Sequence, residues 1–485
     1  MDNNYRLPTG KEILFILIAF MITMFVVVIY LELPIQLALL LIWFIIIPVG
    51  LKIGHSYNQL QAGLCKGIYE GMEAILVMIS IGALIGTWIA SGIVPSIIYA
   101  GLHIINPTFF LVTAFIICMV TSLATGTSFG SAGTAGIAMI GVGTSFGLPL
   151  ALVAGAVISG CYVGDKMSPL SDTTVMTASL SKVDLFDHIK SMSFVSIPSI
   201  IITLILFGIT NLTIKSKDGS LAQAEKAMGQ LNDQFNISWW MVIPLIVVIV
   251  LLALKIPSVP VILFGSLLGA IWAVWFQGIP FVESIKILYR GNDISSGVPF
   301  IDNLLNRGGI TFMLETVLLV IIALGIGGLM EAIGVTQKIS DMFSKWASDP
   351  GRLTVTTLLA GIFGNVFGGA AYVSLLTATK MTEKNYDKLK IKRTVLSRNT
   401  EAGGTVTTPM VPWSDGGVFM ATTLGVSTIH YVPFLWYPIV VIIISIIYGF
   451  KGIFMWKSDE YYNEENMEAE NGLANKDKNK NIVSS

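Results

Sequence analysis

The chain has 485 residues, 54% of them hydrophobic and only 12% charged, with a mean hydropathy of +0.77 and a formal net charge of −1. That balance excludes a soluble enzyme and offers no basic face for nucleic acid; it describes an all-α polytopic membrane protein whose solvent is the lipid bilayer. Three cysteines (Cys65, Cys118, Cys161) and four histidines without paired spacing exclude a disulfide framework and a histidine-ligated metal, and no cofactor is expected.

Arg6 and Lys11 stand before a first apolar run, as in a leader peptide. That run covers about nineteen residues and no small-x-small cleavage signal follows, so it reads as a retained span. Runs long enough to cross a bilayer fall at 12–31, 33–51, 68–91, 191–213, 238–254, 257–276, 309–331 and 431–453. Two more spans, 148–180 and 394–426, are interrupted. Between them, 107–142 and 353–379 turn on polar, glycine-rich centres, Thr125-Gly-Thr-Ser-Phe-Gly-Ser131 and Gly364-Asn-Val-Phe-Gly-Gly369. These segments are either re-entrant hairpins or pairs of full spans, giving about 10 full spans plus 2 hairpins, or 12 spans.

Lysine and arginine orient the whole. Seven basic residues between 380 and 398, against Glu383 and Asp387, assign that loop to the cytoplasm. Counting outward, the loops at 52–66, 181–190 and 338–352 and both termini also fall inside, whereas 92–106, 143–147 and 427–430, which carry no lysine or arginine, fall outside. The expected organisation is a cytoplasmic N-terminus (1–11), a first transmembrane repeat (12–213), an extracellular linker (214–237), a second repeat of inverted topology (238–456) and a disordered cytoplasmic tail (457–485).

The two interruptions are alike. In 159–174, Gly164, Pro169 and the charges Asp165, Lys166 and Asp172 break an otherwise apolar helix. A charge at the bilayer centre costs roughly 2.5–3.5 kcal/mol on insertion scales and survives where it faces a cavity or a partner. Pro169 lacks an N–H and Ser168–Pro169 disfavours helix, so free backbone groups and carboxylates should gather there. Shifted by 243 residues, Gly160, Val163, Met167, Pro169, Ser171 and Asp172 meet identical residues at Gly403, Val406, Met410, Pro412, Ser414 and Asp415. Upstream, at a shift of 238, Gly126, Phe129, Gly130 and Ala132 meet Gly364, Phe367, Gly368 and Ala370. Paired interrupted segments in two halves point to a transporter's binding site.

Asp172 and Asp415, with Ser171 and Ser414 beside them, are read as a paired sodium site; the alternative is that each caps the helix that restarts after the break. Ser168, Thr173, Asn399 and Thr400 supply further oxygen ligands. Asp165 and Glu401 are candidates for the group whose protonation competes with sodium, against the alternative of simple ion pairs with Lys166 and Arg398. Thr127, Ser128 and Asn365, at the hairpin centres, could face the breaks, or the glycines there (Gly130, Gly133, Gly136) could serve only helix packing. Glu315 and Glu331 read as charges at helix ends that reach the interface. A channel would need a ring-lined pore and an intramembrane enzyme a nucleophile with its base. Neither pattern is present in the sequence.

Gly164-Asp-Lys-Met-Ser-Pro-Leu-Ser-Asp-Thr-Thr174 resembles the signature of the NhaC-type sodium/proton antiporters, as do 122–134 and 401–415, and the likeness runs over most of 10–455. The resemblance implies a bacterial plasma-membrane secondary transporter, not an enzyme, exchanging internal sodium for external protons, with a homodimer left open. A branch of that group, the malate–lactate type, couples the same ions to small carboxylates. For such a substrate, Lys166 and Arg398 are the cations placed to serve.

Overall fold

The computed structural model describes residues 5–213, 220–254, 256–293, 306 and 308–458, and among them every regular element is helical, with an isolated bridge between Ile391 and Lys457 as the sole β contact. The tail beyond 458 and residues 214–219 of the expected linker lie outside the described residues. Lipid offers no hydrogen bonds, so an apolar chain satisfies its backbone by coiling on itself. Among the described residues eight helices are long and apolar enough to cross a membrane: Gly10–Val28, Ile35–Lys52, Met72–Ala90, Pro107–Thr125, Leu150–Met167, Leu185–Thr213, Ser258–Gln277 and Ile310–Ala332. Two pairs bent by 93° and 57°, ending in Trp239–Ala253 and Trp436–Lys451, raise the number to ten.

Several expected loops are helical. The stretch 52–66 falls mostly in the amphipathic helix Tyr57–Glu70, started by a capping box between Ser56 and Gln59. It lies directly on Ile310–Ala332: a Cβ on Gly67 would stand 2.5 Å from the Leu324 carbonyl oxygen. Likewise 92–106 holds Ile93–Ile104, 338–352 holds much of Val335–Trp346, and the expected linker holds Ser220–Gln234. Helices shorter than the bilayer, polar or apolar, escape a search for runs of bilayer length.

Burial separates a centre from a rim. Of the membrane-crossing windows, 83% of Leu150–Met167 and 78% of Met72–Ala90 are buried, against 28% of Gly10–Val28 and 33% of Leu185–Thr213. The rim helices turn Phe15, Met21, Ile201 and Ile205 outward, as lipid-facing surfaces do.

The two hairpins and the broken spans that follow them share one register. Pro107 and Pro350, which start the two hairpins, lie 243 residues apart. The same shift relates Gly126 to Gly369 (φ 71° and 70°), Leu150 to Arg393 at the start of the broken spans, and Asp172 to Asp415 where the helix resumes. This corrects the shift of 238 expected upstream. Glycine-rich stretches match each other in several registers, but only the glycine that ends the hairpin's first leg adopts the left-handed conformation that lacks a Cβ penalty.

Candidate cation site at the paired breaks

Leu150–Met167 ends where Pro169 forbids its continuation, and the Ser168 hydroxyl closes the turn, donating to the Leu123 carbonyl (2.9 Å) and accepting from the Leu170 amide (3.2 Å). The helix meets the hairpin backbone to backbone. A Cβ on Gly164 would stand 2.1 Å from the Ser122 carbonyl carbon, and the Ser122 hydroxyl donates to the Cys161 carbonyl oxygen. The chain turns helical again at Asp172. In the second half Arg393–Gly403 passes into a 3₁₀ stretch, Thr405–Met410, and helix resumes at Asp415, capped by Ser414, whose Oγ accepts from the Gly417 amide at 3.1 Å.

The breaks meet each other. The Phe129 and Phe419 rings stack at 4.2 Å, and a Cβ on Gly416 would lie 2.5 Å from the Tyr162 hydroxyl. Between them lies a cavity of about 70 Å³, room for several waters or a partly hydrated ion. Asp165, Asp172, Asp415 and Glu73 line it, with Thr127, Ser128, Thr173, Thr405 and Thr408 as oxygen donors and acceptors and Tyr162 and Tyr372 as larger walls. None of its lining residues is a lysine, arginine or histidine. Asp165 and Asp415 are buried and Asp172 and Glu73 are exposed, so the acids run from the mouth inward.

Asp165 is the most heavily clothed of these. Ser128 donates to Oδ2 (2.5 Å), Ser171 to Oδ1 (2.8 Å), and Thr173 and Thr174 donate to its carbonyl oxygen (3.2 and 3.0 Å). It forms no ion pair with Lys166: consecutive helix residues point about 100° apart, and the lysine turns away from the cavity, fully buried, with no hydrogen-bond partner at Nζ. Nor do Arg398 and Glu401 pair. Arg398 donates to the Phe454 carbonyl (3.2 Å) and lies over the Trp456 ring (5.6 Å), pinning the chain after the last span, whereas Glu401 accepts from Thr177 at 2.9 Å.

Of the residues singled out from the sequence, the cavity gathers Asp165, Asp172, Thr173, Asp415, Thr127 and Ser128, with Ser171 one bond behind. The others are placed elsewhere. Asn399 donates to Tyr386 (2.9 Å), Thr400 faces Thr379 (3.4 Å), and Ser414 is occupied as a cap. Asn365 holds the second break together, donating to the Gly404 carbonyl (2.8 Å) and Thr407 (2.9 Å) and accepting from Thr408 (3.1 Å). Glu73 and Tyr372 were not singled out. Glu73 sits in the first turn of Met72–Ala90, just after the break at Gly71, and an acid opening an apolar helix with no basic neighbour is the signal that marks it. Tyr372 is legible only once Gly369 is known to pair with Gly126, which sets it opposite Phe129.

Two interrupted membrane helices meeting at a buried acidic cavity define a multi-pass, ion-coupled secondary transporter. The model of the Na+/H+ antiporter family matches residues 160–453. The chain is 50% identical to the malate-2H(+)/Na(+)-lactate antiporter of Bacillus subtilis, over 93% of this chain and 96% of that one. It is 36% identical, over the same shares, to the Na(+)/H(+) antiporter NhaC of Alkalihalophilus pseudofirmus. To the arginine/ornithine antiporter ArcD of Halobacterium salinarum it is 34% identical, over 84% of each chain. The chain belongs to the Na+/H+ antiporter family.

Proposed function

We propose that the protein exports sodium in exchange for protons across a bacterial plasma membrane, with both termini in the cytoplasm. Sodium is held in the cavity by the Asp165 carboxylate and hydroxyl oxygens, with Asp172 and Asp415 adding charge from the same walls. The observation that carries this reading is the charge of the cavity: four carboxylates line it and no cationic side chain does. Hard oxygen ligands suit a small alkali ion, and clustered acids without counter-charges bind either a cation or protons. That exclusivity is all an antiporter requires, because protonation removes the charge that offsets sodium dehydration. Among the described residues no three acids, histidines or cysteines converge as a metal cage. A loose, mixed set of ligands suits an ion that must leave again.

Purified protein in liposomes tests this. Sodium gradients should drive proton flux without any organic acid, and the sodium concentration for half-maximal rate should rise about tenfold per pH unit below the controlling protonation, as for simple competition. Asp165→Asn and Asp415→Asn should each lower sodium-driven exchange at least about tenfold, equivalent to about 1.4 kcal/mol, while the protein still inserts. Unchanged sodium affinity in both variants would overturn the site. Single cysteines replacing Lys384 and Ser427 should react from opposite faces of the membrane. Labelling of both from one face would overturn the inverted topology.

A second reading is favoured by one comparison, the 50% identity to a malate/lactate exchanger. In that reading sodium and protons are coupled to a small organic acid. The acidic cavity would repel such a substrate, and Lys166 and Arg398 are enclosed away from it. A carboxylate would therefore need a different seat.

A further inference from the structure

A larger cavity, about 200 Å³, lies between Ile310–Ala332, Val335–Trp346 and the second hairpin. Unlike the acidic cavity, it sets one base beside one acid. Two ionisable side chains line it, Glu331 and Lys380. Glu331 is already taken, 3.0 Å from the Lys66 ammonium, whereas Lys380 is exposed and makes no ion pair or hydrogen bond among the described residues. Ser340, whose hydroxyl reaches the Met381 carbonyl at 3.4 Å, and Thr377 also line it, together with the apolar Phe363 and Phe367. A free ammonium, hydroxyls and a hydrocarbon wall together match a short carbon chain carrying a carboxylate and a hydroxyl. A bare inorganic anion would leave the apolar wall without a partner.

The position matters as much as the lining. Gly368 walls this cavity and Ala371 and Tyr372 wall the acidic one, so the turn 368–372 is the partition between them. The same turn is fastened to the acidic site, since the Asp415 amide donates to the Gly369 carbonyl at 2.8 Å. We propose that this cavity is a binding site for a small hydroxy-carboxylate, held by Lys380 on the opposite face of the hairpin turn from the acidic cavity. The proposal deepens the organic-acid reading above and rests on it.

Calorimetric titration of the purified protein with lactate, malate, alanine, chloride and phosphate, at fixed sodium and pH, tests the site. Lactate or malate should bind saturably. Lys380→Gln should weaken that binding at least about tenfold and Lys380→Arg should largely retain it, as expected for a charge-assisted bond. Thermal unfolding should be unchanged in both variants. In liposomes, Lys380→Gln should raise the carboxylate concentration for half-maximal transport while sodium–proton exchange without organic acid stays as in the parent. Should the parent transport carboxylate and Lys380→Gln match its affinity, the site is wrong and the organic-acid reading stands. Should the parent neither bind nor transport carboxylate, that reading falls and the site with it. Alanine binding as well as lactate would show Glu331 to be available and overturn the hydroxy-acid class. Equal binding of chloride or phosphate would overturn the carboxylate class.

Discussion

The two breaks share a register and a restart but not a chemistry. At the first, three hydroxyls from two segments (Ser128 in the hairpin, Ser171 and Thr173 where the helix restarts) converge on one carboxylate, Asp165. At the second, the residues in register with Asp165 and Lys166 are Thr408 and Pro409, and the polar side chains there bind the backbone: Asn365 spans Gly404, Thr407 and Thr408. A carboxylate can gain or lose a proton, whereas an amide held by one carbonyl and two threonine hydroxyls has no charge state to change. The first half therefore supplies three of the cavity's four carboxylates (Glu73, Asp165 and Asp172), and the second supplies Asp415 beside a wall of internally bonded polar groups. A repeated fold does not imply two equal sites.

Variants can break that comparison. The largest effect is expected at Gly164, where any side chain must force two backbones apart. Gly164→Ala should cost about 1–3 kcal/mol or more by overpacking, read as loss of folded protein and a lower melting temperature. Gly208→Ala, at a helical glycine with nothing within 4 Å of a new Cβ, should cost nothing. If Gly164→Ala is as stable as Gly208→Ala, the close hairpin contact is not real.

Asn365 and Ser128 form the next pair. Asn365→Ala leaves the Gly404 carbonyl and two threonine hydroxyls without their partner and should destabilise by about 1–3 kcal/mol, without changing the sodium dependence of what remains folded. Ser128→Ala should do the reverse. It removes a donor that favours ionised Asp165, so protons compete better and sodium transport should fail at a higher pH than in the parent, with little change in melting temperature. An altered sodium affinity in Asn365→Ala would show that the second break is more than a scaffold.

The smallest effect is expected at Glu73. Glu73 lines the cavity from an exposed position, so Glu73→Gln should change apparent sodium affinity by roughly the worth of a surface charge, under about 1 kcal/mol. The change should shrink further in high concentrations of a non-transported salt. An effect as large as that of Asp165→Asn would place Glu73 among the direct ligands.

By itself the sequence determined the solvent, the helical class and the two breaks, because each follows from local chemistry. Apolar runs of bilayer length must coil, a proline must interrupt, and Ser-Asp after a break must restart a helix. Pro169 with Pro412, and Asp172 with Asp415, were readable for that reason. It also brought Asp165, Thr127 and Ser128 into view as polar residues too costly to bury without purpose. Which of them share a space was decided only by tertiary structure. Lys166 follows Asp165 in the chain yet faces another compartment, since a helix turns neighbours about 100° apart. Arg398 and Glu401 have helical spacing for a pair, yet Arg398 is drawn to Phe454 and Trp456, more than fifty residues downstream. Glu73 joins the site from a helix whose own sequence gives no sign of the breaks. Charge and breakage are written residue by residue, but a site is a juxtaposition, and juxtaposition across 342 residues, from Glu73 to Asp415, exists only in the packed molecule.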